Sequence, residues 1–306
     1  MNGYVVLGSA VVGLLVGVTG AGGGALMTPM LVLLFSVKPS TAISSDLVAA
    51  VAMRPFGAAV HLKRGTVSLR LVGLMALGSA PAAFFGSWLL HELAHTRSAT
   101  ANVEKALGAA LLLGAAAMLV RYVMDRRSAN PRAADLESLP LRSAATVAIG
   151  LVGGLVVGLT SVGSGSLMIV MLMFVYPQLA AKRLVGTDLV QAIPLTAAGA
   201  LGALTFGHVQ VPLTSAIVVG SVPAVVVGSL LSSRTSDRWL RPAIFCVILA
   251  SGLKYTGLGN GQLAWAVGAV VAVVVVDTAM VHGKERAGHR ESVGERKKKH
   301  LVGAPR

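Results

Sequence analysis

The sequence predicts an all-α polytopic membrane protein built from two inverted repeats. Each repeat is predicted to contain three full spans plus a glycine-broken re-entrant hairpin, and one extra C-terminal span follows them. Three observations predict this fold: an apolar composition, a glycine motif that occurs twice, and an unequal distribution of basic residues between the two predicted faces of the membrane. The chain is 55% hydrophobic and only 12% charged, which is typical of proteins that cross a bilayer repeatedly.

Several apolar runs are long enough to cross a hydrocarbon core of ~30 Å as helices. The predicted full spans cover residues 41–61, 67–90, 104–124, 185–206, 212–232, 240–257 and 261–281. The only cysteine of the sequence, Cys246, lies inside one of these spans. The sequence therefore excludes a disulfide framework and a cysteine metal site.

A glycine-rich stretch occurs twice, 141 residues apart. The first copy begins at Gly17 and reads GVTGAGGGALM, and the second begins at Gly158 and reads GLTSVGSGSLM. Glycine-interrupted apolar segments at corresponding positions of two halves are typical of the binding sites of secondary transporters.

The duplication continues beyond the glycines, at an offset of 142 residues. Asp46 corresponds to Asp188, and Pro81 corresponds to Pro223. One residue was therefore gained between the glycine motif and these later pairs. The predicted organisation is a first membrane repeat at 1–124, a cytoplasmic linker at 125–142, a second membrane repeat at 143–257, an additional C-terminal span at 258–282 and a basic disordered cytoplasmic tail at 283–306.

Each glycine segment is too long for one straight crossing of the membrane. Residues 3–35 form a continuous stretch without a charged side chain, and a straight helix of that length would run ~50 Å. Tilt alone does not absorb so large an excess over the bilayer. A break at Gly20–Gly24 instead gives two arms that dip in and return on the same side. Residues 143–176 repeat this pattern.

The basic residues favour the hairpin arrangement. If each glycine segment returns to its starting side, 21 Lys and Arg residues share one face and 4 lie on the other, with Arg54 inside a span. The positive-inside rule assigns the basic face to the cytoplasm of a cell membrane, with the N-terminus outside. Because each half crosses an odd number of times, the repeats are inverted. Basic loops and tail also explain the net charge of +14 without a nucleic-acid partner.

The glycine breaks are predicted to form an anion site. A helix that begins just after Gly24 or Gly165 directs its free N–H groups and the positive end of its dipole toward the break. Glycine also lets an anion approach the backbone closely. The predicted substrate-binding residues are Gly22, Gly23, Gly24, Arg54, Ser161, Ser164, Gly165 and Ser166. The alternative is that these glycines only allow helices to pack tightly.

Arg54 is the most specific single candidate for a contact with the substrate. It lies past the middle of a predicted span, where an arginine costs ~2.5–3.5 kcal/mol on insertion scales. Its guanidinium could hold an oxyanion through two parallel hydrogen bonds. Two alternatives stay open: the side chain extends to the cytoplasmic interface near His61, or it pairs with Asp46, eight residues earlier. The corresponding position in the second repeat is Thr196, so the predicted site is asymmetric.

Asp46 and Asp188 lie near the starts of equivalent spans. As carboxylates near helix N-termini, they could cap the helix and complement its dipole, which is the preferred interpretation. As membrane carboxylates, they could instead carry a proton or bind a cation that couples transport.

One motif points to a different class of protein. His91-Glu92-Leu93-Ala94-His95 matches the H-E-x-x-H pattern of zinc metalloproteases. Zinc-dependent hydrolysis needs a third metal ligand. Glu104 is a candidate only because no more convincing ligand stands out. A chance match on a solvated helix end is the preferred interpretation, so no enzyme activity, metal or other cofactor is predicted. An anion channel and a non-transporting scaffold or sensor are further alternatives.

The ordered motifs resemble a known family. Gly20-Ala-Gly22-Gly23-Gly24, Pro29, the small residues at 42–47 and Gly65-Thr66-Val67 recur in degraded form in the second half, and the resemblance covers residues 3–257. They resemble the TauE/SafE family of sulfite and organosulfonate permeases. The second glycine motif departs from the family by its serines, and Asp46 and Asp188 stand where small hydroxyl residues are expected.

The resemblance implies secondary transport of a small anion, a sulfur oxyanion or organosulfonate, across the cytoplasmic membrane. Alternating access of the two repeats is the expected mechanism. The expected partners are the anionic substrate, the lipid bilayer and a coupling proton or cation. The sequence predicts no oligomeric state.

Overall fold

A computed structural model describes residues 3–19, 23–63, 65–95, 99–127, 141–179, 181–231 and 237–257. The described elements are all helices: α1 (Gly3–Thr19), α2 (Gly24–Leu33), α3 (Pro39–Lys63), α4 (Leu69–Ala94), α5 (Ala99–Arg127), α6 (Ser143–Thr160), α7 (Leu167–Val175), α8 (Ala181–Phe206), α9 (Val211–Leu231) and α10 (Asp237–Tyr255). Contacts divide the chain into residues 1–258 and 259–306, and every described residue belongs to the first unit. The predicted C-terminal span, the tail and most of the linker lie outside the described residues.

Six of the described helices are long and apolar enough to cross a membrane. They are α3, α4, α5, α6, α8 and α9. The all-α, multi-pass membrane class predicted from composition is therefore confirmed. Helix α6 begins at Ser143, the first residue of the predicted second repeat, and α5 continues to Arg127, three residues beyond the predicted end of the first repeat.

Both glycine segments are broken helices that fold back on themselves. Gly8 of α1 lies beside Met30 and Phe35 at the far end of α2. In the second copy, the Tyr176 hydroxyl accepts from the backbone N–H of Arg142 at 3.0 Å, beside the start of α6. The two ends of each segment therefore lie together, as the predicted re-entrant hairpin requires. The arms are unequal, since α6 is 18 residues long and α7 only 9.

The short arms, α2 and α7, are each buried in a separate apolar core. Met27 and Leu31 of α2 are fully buried in one core, and their counterparts Met168 and Leu172 of α7 are fully buried in the other. Burial of these equivalent side chains holds each break in place through the hydrophobic effect.

The two repeats interlock through their first arms. Helix α1 packs along α9, and α6 packs along α4. Glycines allow the close approach: Gly13 faces the backbone of Ser221, and Gly154 faces the backbone of Ser79, where a Cβ on either glycine would overlap main-chain atoms. Some glycines of the long arms thus serve packing, as the alternative interpretation expected.

Helices α3 and α8 cross in opposite directions. Ser45, near the start of α3, accepts a hydrogen bond at 3.4 Å from the backbone N–H of Gln210, just beyond the end of α8. His61, near the end of α3, lies beside Gly186 near the start of α8. Antiparallel crossing of equivalent helices supports the predicted inversion of the repeats.

Candidate functional site

The second glycine break has an unusual backbone. Ser161 ends α6 in the left-handed region at φ 60°, and its N–H donates to the Val157 carbonyl at 2.6 Å. Gly163 and Gly165 follow with φ of 119° and 94°, values that L side chains rarely adopt. Non-glycine residues rarely adopt the left-handed conformation, and one that does is held there by its surroundings. Ser161 is therefore the residue whose contacts need explanation.

The two breaks touch each other. Gly24, the first residue of α2, lies so close to the carbonyl of Ser161 that a Cβ would overlap it. The predicted site residues Gly24 and Ser161 are thus brought together from opposite repeats. Their contact places the positive N-terminal end of α2 beside the end of α6.

Asp46 joins the two breaks from α3. One carboxylate oxygen, Oδ2, accepts from the Ser161 hydroxyl at 2.7 Å and from the Thr28 hydroxyl of α2 at 2.9 Å. The side chain is 1% exposed. Asp46 is the eighth residue of α3, past the first turn in which a capping carboxylate would lie. Its hydrogen bonds therefore tie α2 and α6 to α3.

Arg54 lies two turns further along the same helix. Its guanidinium is buried, with the residue 8% exposed, and Nη2 donates to the hydroxyl of Ser164 at 2.5 Å. The side chain therefore points into the second break and does not extend to the membrane surface, which was one of the alternatives. It also interacts electrostatically with both Asp46 and Asp188.

Asp188 is the eighth residue of α8, just as Asp46 is of α3, but its surroundings differ. It is fully buried, and among the described residues neither carboxylate oxygen has a hydrogen-bond partner. The backbone N–H of Gly165 lies near this carboxylate. Arg54 and Arg121 act on it electrostatically.

The other predicted site residues lie at or near the breaks. Gly23 precedes α2 and faces the methyl group of Met53. Ser166 precedes α7 and is half-buried, with its hydroxyl beside Gly114 of α5. Gly22 lies outside the described residues.

Three contributors to this region were not among the predicted substrate-binding residues. Thr28 is a buried hydroxyl in an apolar arm, and its position one turn beyond Gly24 was the available signal. Arg121 lies near the end of the predicted span 104–124, and the structure places it within α5. Gln191, one turn after Asp188, donates from Nε2 to the Ser79 hydroxyl at 2.6 Å. These partners belong to different helices, so no sequence spacing brings them together.

The H-E-x-x-H motif lies at the end of α4. The rings of His91 and His95 are 4.2 Å apart between centroids, and that of His208 lies 5.9 Å from His95. Nevertheless, no group of three or more His, Cys, Asp or Glu side chains in the described part of the chain is arranged to hold a metal ion. The zinc-protease alternative therefore gains no support from the described residues.

A helical, multi-pass protein with a buried charged site between two broken helices has the architecture of a membrane transporter. Comparison with known proteins specifies this class. The chain belongs to the TauE/SafE family, because the family model described as "Sulfite exporter TauE/SafE" matches residues 5–255. The resemblance seen in the glycine motifs is thus confirmed over nearly the whole of both repeats.

Two curated relatives come from Bacillus subtilis (strain 168). The chain is 40% identical to "Probable membrane transporter protein YjnA" over 256 residues, which are 83% of this chain and 99% of the relative. It is 27% identical to "Probable membrane transporter protein YdhB" over 251 residues, 81% of this chain and 98% of that relative. No solved structure matches the chain.

Proposed function

We propose that this protein is a secondary transporter that moves a small anion, a sulfur oxyanion or an organosulfonate, across the cytoplasmic membrane by alternating access. The observation that carries the proposal is the buried contact between Arg54 and Ser164, at the place where the two glycine breaks meet. A buried cation that donates to a hydroxyl can exchange that hydroxyl for an oxyanion, which accepts a stronger, charge-assisted hydrogen bond.

The helix ends around Arg54 favour an anion over a cation. Among the described residues, neither Gly23 before α2 nor Ser166 before α7 supplies a side-chain hydrogen bond to its helix N-terminus. Backbone N–H groups that stay unpaired at such ends can bind an anion, and the helix dipole makes the position electropositive. The guanidinium of Arg54 provides a planar pair of donors that matches the oxygens of a sulfonate or sulfite group.

The fold is suited to alternating access. The two breaks come from different repeats, and the equivalent helices α3 and α8 cross antiparallel. Rocking of one repeat against the other would therefore expose the same site first to one side and then to the other. The N-terminus is proposed to lie outside and the basic tail in the cytoplasm, because this arrangement satisfies the positive-inside rule.

Thermal stabilisation by anions tests the proposal. The detergent-purified full chain is heated with sulfite, thiosulfate, sulfate, short organosulfonates, carboxylates or chloride. A ligand at 100 times its dissociation constant stabilises the folded state by about 2.7 kcal/mol, which gives a measurable rise in Tm. The expected result is a selective rise with one sulfur anion. An unchanged Tm with every anion would contradict the anion site.

Transport itself separates a carrier from a channel. Proteoliposomes are loaded with the unlabelled anion selected by the thermal assay and diluted into a trace of labelled anion. A carrier exchanges the two and accumulates label transiently, whereas an open pore does not. Absence of exchange-driven accumulation, with passive flux retained, would favour the channel alternative.

A further inference from the structure

The two buried aspartates of the site differ in their hydrogen bonds. Asp46 accepts from the hydroxyls of Thr28 and Ser161, whereas both oxygens of Asp188 are without a partner in the described part of the chain. Even beside a cation, a buried ionised carboxylate that accepts no side-chain hydrogen bond is costlier than one that accepts two. The difference therefore favours Asp188 over Asp46 as a carboxylate that can take up a proton.

The internal duplication explains this difference. At the offset of 141 residues that relates the glycine motifs, Ser161 corresponds to Gly20 and Thr28 corresponds to Ile169. Both hydroxyls that satisfy Asp46 are thus replaced, in the other repeat, by residues that have no side-chain donor. The repeats have diverged at the two positions that determine whether the aspartate is satisfied.

An unpartnered acceptor lies one turn along α8 from Asp188. Gln191 is fully buried, and because its Nε2 donates to Ser79, its Oε1 is left without a described partner. Residues three apart on a helix are neighbours. A proton on Asp188 turns one carboxylate oxygen into a donor that the Gln191 oxygen can accept. Protonation of Asp188 therefore allows a hydrogen bond to Gln191, which would leave fewer buried polar atoms of these two side chains without a partner.

The charged groups around Asp188 come from two helices. Arg54 of α3 and Arg121 of α5 act on it electrostatically. The neighbouring helices α6 and α7 have no titratable residue in their sequences. On α4, Arg70 is exposed, and His91 with Glu92 lies in the last turn. His61, at the end of α3, lies beside Gly186, two residues before Asp188.

We propose that Asp188 carries the coupling proton of the transport cycle, and that its protonation makes Arg54 available to the substrate anion. This inference rests on the proposed anion transport. While Asp188 is ionised, the charge of Arg54 is shared between two carboxylates, and an arriving anion competes with both. A proton from water forms an O–H bond on Asp188, removes one competitor and returns to solvent after the anion leaves. By thermodynamic linkage, the anion also raises the affinity for the proton.

Proton uptake on anion binding tests this coupling. The probes are methanesulfonate and thiosulfate, because neither changes its charge between about pH 5 and pH 8, unlike sulfite. Binding to the purified full chain is measured across this range, and in weakly buffered solution with a pH indicator. The expected result is that affinity rises as pH falls and that one proton is taken up for each anion bound at neutral pH.

Substitutions of single carboxylates test which residue takes up the proton. D188N is expected to bind the probe with an affinity independent of pH, whereas D46N keeps the pH dependence and has a lower Tm. E92Q makes the same change at an exposed carboxylate of α4 and is expected to behave as the wild type. If folded D188N retains the full pH dependence, the assignment to Asp188 is wrong. Proton uptake by the wild type is a second measurement that does not depend on the folding of any variant.

The other outcomes separate this inference from the proposed function. If the wild type binds the probe with no pH dependence and no proton uptake, the coupling proposal fails and the anion site stands. If binding at constant pH instead requires sodium, Asp188 holds a metal cation, and the proton assignment is overturned. If no probe binds at any pH or sodium concentration, the proposed anion transport itself fails.

Discussion

Gly24 at the start of α2 lies against the carbonyl of Ser161 at the end of α6, with no space for even a Cβ between them. These residues belong to the two copies of the glycine motif, and their contact joins the repeats at the centre of the candidate site. Asp46 strengthens the junction from α3 by accepting from Ser161 and from Thr28 of α2. A single carboxylate oxygen thus orients both breaks.

Replacing Gly24 with alanine is expected to destabilise the protein. The new methyl group must displace main-chain atoms of Ser161, and overpacking of this kind costs ~1–3 kcal/mol. The expected result is a lower Tm and a weaker response to the anion that stabilises the wild type. Gly73→Ala is the matched control, because a Cβ at Gly73 of α4 meets nothing within 4 Å. Equal Tm values for the two variants would contradict the described junction.

Substitutions of Ser161 separate its hydrogen bond from its backbone strain. Ser161→Ala removes a donor to buried Asp46 and keeps a side chain at φ 60°, so a loss of ~1–3 kcal/mol is expected. Ser161→Gly removes the same donor but relieves the left-handed conformation, so its Tm is expected to be the higher of the two. Chemical or thermal unfolding in detergent measures both. A glycine variant less stable than the alanine variant would show that φ carries no strain.

Arg54→Ala is expected to abolish anion binding while leaving a folded, membrane-inserted protein. The guanidinium is the buried positive charge that contacts the second break, through Ser164. The measurement is the anion-dependent rise in Tm, with size-exclusion chromatography to confirm folding. Arg70→Ala removes the same charge from an exposed position of α4 and is expected to retain the rise. Wild-type affinity in folded Arg54→Ala would remove Arg54 from the substrate site.

Reporter fusions test the proposed topology. Reporters placed after residues 36, 66, 178 and 208 examine four connections between described helices. The hairpin arrangement predicts that the connections near 66 and 178 are cytoplasmic and that those near 36 and 208 lie outside, because each glycine segment returns to its starting side. A reporter active only in the cytoplasm and one active only outside give the two complementary readings. Opposite sides for 66 and 178 would mean that the glycine segments cross once, against the inverted repeat.

Sequence reasoning predicted the helices well and the site only in part. The full spans that fall on described residues are all helices, and both glycine segments are broken at the predicted positions. The role of Asp46 differs from the preferred capping interpretation, since it lies in the third turn of α3 and bonds to side chains of two other helices. Arg121 was missed because the position of a residue on α5 does not indicate which carboxylate of α8 it acts on.

The sequence by itself determined the membrane class, the duplication and the two breaks. These are properties of contiguous residues: the length of an apolar run, the spacing of glycines and an offset between copies can all be read along the chain. The tertiary structure decided which donors meet which acceptors. Ser164 and Arg54 are 110 residues apart, and Ser161 and Asp46 are 115 apart. Only the packing of one repeat against the other brings them together, and so makes two equivalent aspartates physically different.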